Sequence, residues 1–182
     1  DYLVCPASGG RLDLEISRRE GDEIIEGSLL SSEGKRYPIR NGIPRFVSSE
    51  EYTETFGFQW NRHSRIYFDN KDKHRVYSTQ AQLERKLGLT PVNVKNKKVL
   101  DIGCGTGANG AAIAAWSARE IFCVDLSSAV EAAYRNTKHL NNVHVIQANL
   151  FNLPFRHETF DIIYSIGVLM TTPNTKKAFL GL

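Results

Sequence analysis

The sequence predicts an α/β fold, a parallel sheet preceded by a small β-rich module, and three observations predict it. From Val99 onward, short apolar runs alternate with helix-like segments, which argues a parallel sheet with helices on its faces. The first of those runs, Val99 to Ile102, passes directly into a glycine-rich turn, Gly103-Cys104-Gly105-Thr106-Gly107. The first 47 residues lack that rhythm and show alternating stretches broken by glycine turns.

Leu12-Asp13-Leu14-Glu15-Ile16 alternates apolar with polar, as a half-buried strand does, and Ile24 to Leu30 is a second candidate. Arg18 to Asp22 is the turn between them, and Ser31 to Lys35 is another. Asn41-Gly42, a tight-turn dipeptide, separates Tyr37-Pro38-Ile39 from Ile43 to Val47. Residues 1–47 therefore read as one small module with a modest core. Residues 48–96 read as a connector with the ring-dense Phe56-Gly57-Phe58-Gln59-Trp60. It also holds a helix capped by Ser78, carrying Leu83 and Leu87 and ended by Gly88. Asn93 to Lys98 is a polar, basic loop.

Residues 97–182 carry the parallel sheet. Val99 to Ile102 is its first strand, and Ala108 to Ala118 an alanine-rich helix. Ile121 to Asp125 is a strand ending in an acid. Ser127 to Leu140 is a helix with Ser127 or Ser128 as its cap. Asn141-Asn142 turns the chain into the strand Val143 to Ile146, and Phe160 to Ser165 is the fourth.

Composition narrows the function. Hydrophobic residues make up 41% and charged residues 24%, a globular balance that excludes wholesale disorder. A net charge of +3 is too mild for a nucleic-acid partner, which calls for a clustered basic face. No apolar run approaches the roughly 18 residues of a membrane span. Cys5, Cys104 and Cys123 are scattered and read as free thiols of a reducing, cytoplasmic compartment. His63, His74, His139, His144 and His157 show no metal-ligand spacing, and no metal is expected.

In an open α/β sheet, ligands sit at the carboxyl ends of the strands where strand order reverses. Those ends carry Asp101 with the glycines, then Asp125 with Leu126, then Asn149 with Leu150, then Ser165. Gly103, Gly105 and Gly107, with Cys104 among them, let backbone approach a ligand without a Cβ in the way. Asp125 follows the glycines by about 20 residues, where a carboxylate accepts from a ribose diol. Asn149 offers an amide to an adenine edge, and Asp101 a charge to an ammonium. Gly105-Thr106-Gly107-Ala108-Asn109-Gly110 also satisfies the dinucleotide fingerprint, which keeps an NAD-dependent oxidoreductase open. Asp101 would repel a pyrophosphate and would help a cationic sulfonium amino acid, so S-adenosylmethionine is the favoured cofactor.

These residues resemble the class I S-adenosylmethionine-dependent methyltransferases, of the methyltransferase type 11 kind, which implies a Rossmann-like sheet. Val99 to Gly107 is similar to the family's first motif, and Val124-Asp125-Leu126-Ser127 to its ribose-binding strand end. Gln147-Ala148-Asn149-Leu150 with Leu153-Pro154-Phe155 resembles the adenine-side segment, with Asn149 where the family usually has Asp. Phe160 to Leu169 resembles the fourth strand and its turn. The implied activity is methyl transfer to a small or medium acceptor. Similar proteins often show two histidines before a Thr-Pro, where this chain has Met170-Thr171. That departure keeps a non-catalytic, cofactor-binding partner module as an alternative.

At the front, Cys5-Pro6, Gly9-Gly10-Arg11-Leu12, Tyr37-Pro38-Ile39 and Asn41 to Phe46 resemble a Trm112-type module. Its zinc cysteines are missing, since Cys5 stands alone and Ser8 takes a second position. Trp60 and Phe58 read as packing between modules, with Trp60 as a lid on the cofactor the alternative. The family's sheet normally has seven strands and only four can be placed here, so a C-terminally truncated fragment of a longer protein is expected.

Overall fold

The computed structural model describes residues 2–47, 60–65, 68 and 78–182. The ring-dense Phe56 and Phe58, and much of the connector, lie outside these residues. Two four-stranded sheets organise the rest.

The first sheet is an antiparallel meander in sequence order: β1 (Leu12–Glu20), β2 (Glu23–Ser31), β3 (Arg36–Arg40) and β4 (Ile43–Pro44). Asn41 and Gly42 both take positive φ, 53° and 79°, which the tight hairpin between β3 and β4 requires. Strand β1 runs to Glu20, past the end of the alternating pattern at Ile16. The register shifts at Ile16–Arg19, and Arg18 is fixed by Glu20 and Glu26, so the turn is confined to Gly21 and Asp22.

Helices α1 (Thr79–Leu87) and α2 (Pro91–Val94) precede the second sheet. Ser78 caps α1 by accepting from the Ala81 amide at 3.2 Å, and Gly88 closes it at φ 66°. The predicted loop from Asn93 holds the end of α2, because Thr90 and Asn93 form a reciprocal cap. There follow β5 (Lys98–Ile102), α3 (Ala108–Ala114), β6 (Glu120–Asp125), α4 (Val130–Thr137), β7 (Val143–Gln147), β8 (Ile162–Ser165) and α5 (Thr175–Leu180). Helix α3 stops four residues before Ala118. Trp116 and Ser117 tighten to i−3 bonds, and Ser117 turns left-handed at φ 61°. Helix α4 starts at Val130 behind Ala129 rather than behind a serine cap.

These four strands are parallel and ordered β7-β6-β5-β8. The chain builds outward from β5 to β7 and then returns to the far side of β5. Strand order therefore reverses between β5 and β8, where such folds open a crevice.

The two faces of this sheet are covered differently. Val99, Ile121, Cys123 and Tyr164 pack under α1, α3 and α4 with Leu83, Ile113 and Val130. Helices were expected on the opposite face too, yet the crossover from β7 to β8 contains none. The front sheet takes their place. Its Leu29, Ile39 and Phe46 meet Leu100, Phe122, Val124 and Ile146. Phe122 is the hub, with Tyr2 at 5.1 Å, Phe160 at 5.3 Å and Phe155 at 5.5 Å between ring centroids, all edge-on. Main-chain bonds join the sheets as well. The Phe46 amide donates to the Gln147 carbonyl at 2.7 Å, and the Val4 amide to the Pro154 carbonyl at 2.9 Å. Among the described residues, no helix is long and apolar enough to cross a membrane.

Candidate functional site

The glycine turn lies at the point where strand order reverses. The amides of Gly103 and Cys104 both donate to the Val124 carbonyl, at 2.7 and 3.0 Å, which folds the turn against the end of β6. Gly103, Gly105 and Gly107 take φ of 75°, 53° and 78°. Their surroundings separate their roles. A Cβ on Gly103 would stand 2.1 Å from Val168 Cγ2, and one on Gly107 3.1 Å from Thr137 Cγ2. Those two glycines admit neighbouring side chains. A Cβ on Gly105 would meet only the Trp60 indole, at 3.5 Å, so this buried residue turns its one uncrowded face to the Trp60 ring.

Asp125 closes β6 beside that face. Its Oδ2 accepts from the Gly105 amide at 3.0 Å, and its Oδ1 from the Ser127 amide at 2.9 Å and the Ser127 hydroxyl at 2.7 Å. A carboxylate offers about four lone-pair positions. Three are filled by donors among the described residues, and the one left is on Oδ2. Ser127, predicted as a helix cap, holds this acid instead, and its oxygen also accepts from the Ala129 amide at 3.2 Å. Neighbouring Leu126 is half-buried, and its carbonyl accepts from Gln147 Nε2 at 3.0 Å.

The other two strand ends are pinned internally. Asn149 Oδ1 accepts from the Phe151 amide at 3.0 Å, shaping the turn after β7, while Leu150 packs into the core shared with the front sheet. The Ser165 hydroxyl donates to the Ile102 carbonyl at 2.9 Å and so ties the end of β8 to the end of β5.

Asp101 stands elsewhere than a rim residue would. It is 1% exposed, beneath the turn, level with Tyr164 on one side and Cys123 on the other. Among the described residues, Asp101 Oδ2 and the Tyr164 hydroxyl are buried with no hydrogen bond of ordinary length, although the two groups stand close enough to act on each other. Burial pushes this carboxyl up to about 7, against the opposing pull of the Tyr164 hydroxyl, and the charge of Asp125 adds to the rise. The Cys104 thiol is buried beside it and is pushed up by Cys123 and by burial. Asp101 is thus a buried acid beneath the turn, its carboxyl raised chiefly by burial.

Residues 60–64 cover the open side. The Trp60 ring lies on Gly105, and Asn61 Nδ2 donates to the Ser128 carbonyl at 2.9 Å. Asn136 Nδ2 joins this segment to the turn by donating to the carbonyls of Ser64, at 2.7 Å, and Thr106, at 3.1 Å. Sequence reasoning placed Ser127 in the ribose-type strand end and as a candidate cap but not on Asp125, and it missed Asn136, which matches no motif. The signal for Ser127 was its place two residues after the acid, where a hydroxyl reaches back. Beyond β8, a single 3₁₀ turn, Leu169–Thr171, leaves Met170 exposed.

Residues 99–181 match the family described as a methyltransferase domain. The chain is 25% identical over 121 residues to the O-methyltransferase rstn1 of Aspergillus nomiae, covering 64% of this chain and 54% of that protein. It is 33% identical over 88 residues to a demethylmenaquinone methyltransferase of Staphylococcus haemolyticus, covering 46% and 37%. The chain thus spans about half or less of the length of these curated relatives. Among solved structures it is similar to a SAM-dependent methyltransferase from Aquifex aeolicus, at TM-score 0.52 and 16% identity, with 72% of this chain and 65% of that one covered. A Methanococcus maripaludis protein assigned as an S-adenosyl-L-methionine-dependent methyltransferase gives TM-score 0.54 and 21% identity over 74% and 61%. At such identities these two likenesses speak for the fold. The sheet order and the glycine turn agree with this methyltransferase-domain match over residues 99–181 and with a Rossmann-like fold.

Proposed function

We propose that this chain binds S-adenosylmethionine on the rim formed by the ends of β5, β6 and β7, and transfers its methyl group to a small or medium acceptor. One observation carries the reading: the Asp125 carboxylate is fixed against the glycine turn by Gly105 and keeps one Oδ2 position for a hydroxyl donor. The residues present fit the cofactor. Gly105 has no side chain and meets only the Trp60 ring, and under the turn lies a buried acid whose Oδ2 has no hydrogen bond among the described residues.

When bound, the cofactor supplies an activated methyl on a sulfonium, so alignment and exclusion of water are what the protein must add. Asp125 holds a ribose hydroxyl. Gly105 lets the amino-acid arm lie against backbone, Gly103, Cys104 and Gly107 fold the turn around it, and Asp101 below, when ionised, supplies a negative potential that attracts its ammonium. Asn149, Leu126 and Leu150 frame the adenine side, and Ser165 keeps β8 in register with β5. Trp60 excludes water above the turn. No general base is assigned, because oxygen, nitrogen and carbon acceptors differ in needing one.

By their names, the relatives include O-methyltransferases and sterol C-methyltransferases, so they leave the acceptor unselected. Two acids around one glycine turn disfavour the pyrophosphate of NAD. A cytoplasmic location is supported by three free cysteines. The Trm112-like reading of residues 1–47 is supported by a four-strand meander set against the rim-bearing sheet. A second reading, cofactor binding without turnover, is favoured by the Met170-Thr171 segment beyond β8, which lacks a proton-accepting imidazole.

Calorimetry with S-adenosylhomocysteine and NADH tests the cofactor. Binding of the first alone is expected, and a preference for NADH would overturn the reading. Turnover across a broad acceptor panel then separates enzyme from binding module.

A further inference from the structure

The front module reaches the cofactor rim through one side chain. Arg45 follows β4 and pairs with Gln147 of β7 as a parallel bridge, while Gln147 stands in register with Asp125 of β6. The three residues form one row across the junction of the two sheets. The Arg45 side chain is only 14% exposed. Its Nη1 donates to Gln147 Oε1 at 2.8 Å, and its Nη2 pairs with Glu131 in the first turn of α4. Gln147 Nε2 in turn donates to the Leu126 carbonyl.

Chemistry fixes the direction of this relay. A guanidinium only donates and a carbonyl only accepts, so the Gln147 amide can sit in one orientation, oxygen to Arg45 and nitrogen to Leu126. Arg45 therefore grips both ends of the segment that carries the ribose acid. Glu131 lies six residues after Asp125, and Gln147 holds the residue next to it. Among the described residues, Arg45 Nε is buried with no hydrogen-bond partner. Keeping a cation there with one nitrogen unsatisfied is costly, and a purely packing role would be met by an apolar residue.

We infer that Arg45 is a positioning residue for cofactor binding: through Gln147 and Glu131 it braces the Asp125–Ala129 turn, so the front module sets affinity for the nucleoside half of the ligand. This rests on the reading of Asp125 as the ribose acid. Lysine does not reproduce this grip, because a compact ammonium lacks the spread Nη1 and Nη2 that reach Gln147 and Glu131 separately.

The test is calorimetry on the full 182-residue chain with S-adenosylhomocysteine and with 5′-methylthioadenosine, which keeps the nucleoside and lacks the amino-acid arm. Arg45→Met, Arg45→Lys and Gln147→Leu are compared with the native protein, with thermal midpoints measured alongside. The expected result is about a tenfold loss for both ligands in each variant, the size of one lost charge-assisted bond. Arg45→Lys keeps the Glu131 pair and a near-native midpoint, so its loss of affinity cannot be ascribed to unfolding. Arg45→Met with Gln147→Leu should be no worse than either alone. Native affinity in Arg45→Lys and Gln147→Leu would overturn the inference, as would a loss confined to S-adenosylhomocysteine. Failure of the native chain to bind either ligand would overturn the reading of the site itself.

Discussion

The Gly105 amide donates to Asp125 Oδ2 at 3.0 Å, across 20 residues of sequence. This bond couples the two parts of the rim: backbone at the end of one strand orients the carboxylate at the end of the next. With Ser127 on Oδ1, the acid is held in place before a ligand arrives.

Replacing Asp125 by Ala removes the hydroxyl acceptor and releases both Gly105 and Ser127. Bonds to charged groups contribute about 1.5–3 kcal/mol each, so roughly a hundredfold loss of S-adenosylhomocysteine affinity is expected. Calorimetry showing unchanged affinity would remove Asp125 from the site.

Ser127→Ala should act in the opposite sense on binding. It frees one Oδ1 position and lets the carboxylate take both hydroxyls of a ribose. Affinity is expected to hold or rise a few-fold, while stability falls by about 1 kcal/mol with the loss of one hydrogen bond and the cap on Ala129. A collapse of binding comparable to Asp125→Ala would show instead that the serine hydroxyl is indispensable.

Asp101 predicts a pH dependence. Its ordinary value is 3.8, and burial, chiefly, raises it to about 7 in the fold. Between those values the folded chain keeps a proton that the unfolded chain has shed. Its contribution to stability is fully present below about pH 3.8, declines as pH rises, and levels off above pH 7. One proton sets a maximum slope of about 1.4 kcal/mol per pH unit. Asp101→Asn, compared with the native chain in urea titrations from pH 4 to 8, should flatten that slope. Parallel curves would contradict the shift.

Gly103 and Gly105 make a contrasting pair. In Gly103→Ala the new methyl meets Val168 Cγ2 at 2.1 Å in a left-handed backbone, and a loss of about 2–4 kcal/mol is expected. Adding Val168→Ala should recover the steric part and leave about 1 kcal/mol of backbone strain. Gly105→Ala has room, so its stability loss should stay near that smaller figure. Equal unfolding midpoints for the two single variants would refute the distinction.

What was legible in the sequence was local. A buried strand ending in an acid or a glycine announces itself over about five residues, and so Asp101, Asp125 and the turn were placed at strand ends. Ser78 and Gly88 bounded α1 for the same reason, since caps are short-range chemistry. The burial of Asp101 was not legible, because it depends on Tyr164 and Cys123 in neighbouring strands. Nor was the pairing of Arg45 with Gln147, which lie 102 residues apart. Ser127 is not the cap of α4 because the helix begins three residues later, at Val130, and the Ser127 oxygen meets the Ala129 amide ahead of it.

The bridge between Leu3 and Phe155 has a consequence for how the chain comes into being. Synthesis delivers the front sheet first, yet Phe122, Ile146 and Phe155, which cover its apolar face, emerge more than 70 residues later. At typical elongation rates of roughly 5–20 residues per second, Leu29, Ile39 and Phe46 wait several seconds uncovered. The front sheet is thus made well before the surface that completes it, and a nascent chain halted before β7 would carry a sticky sheet for a chaperone to shield.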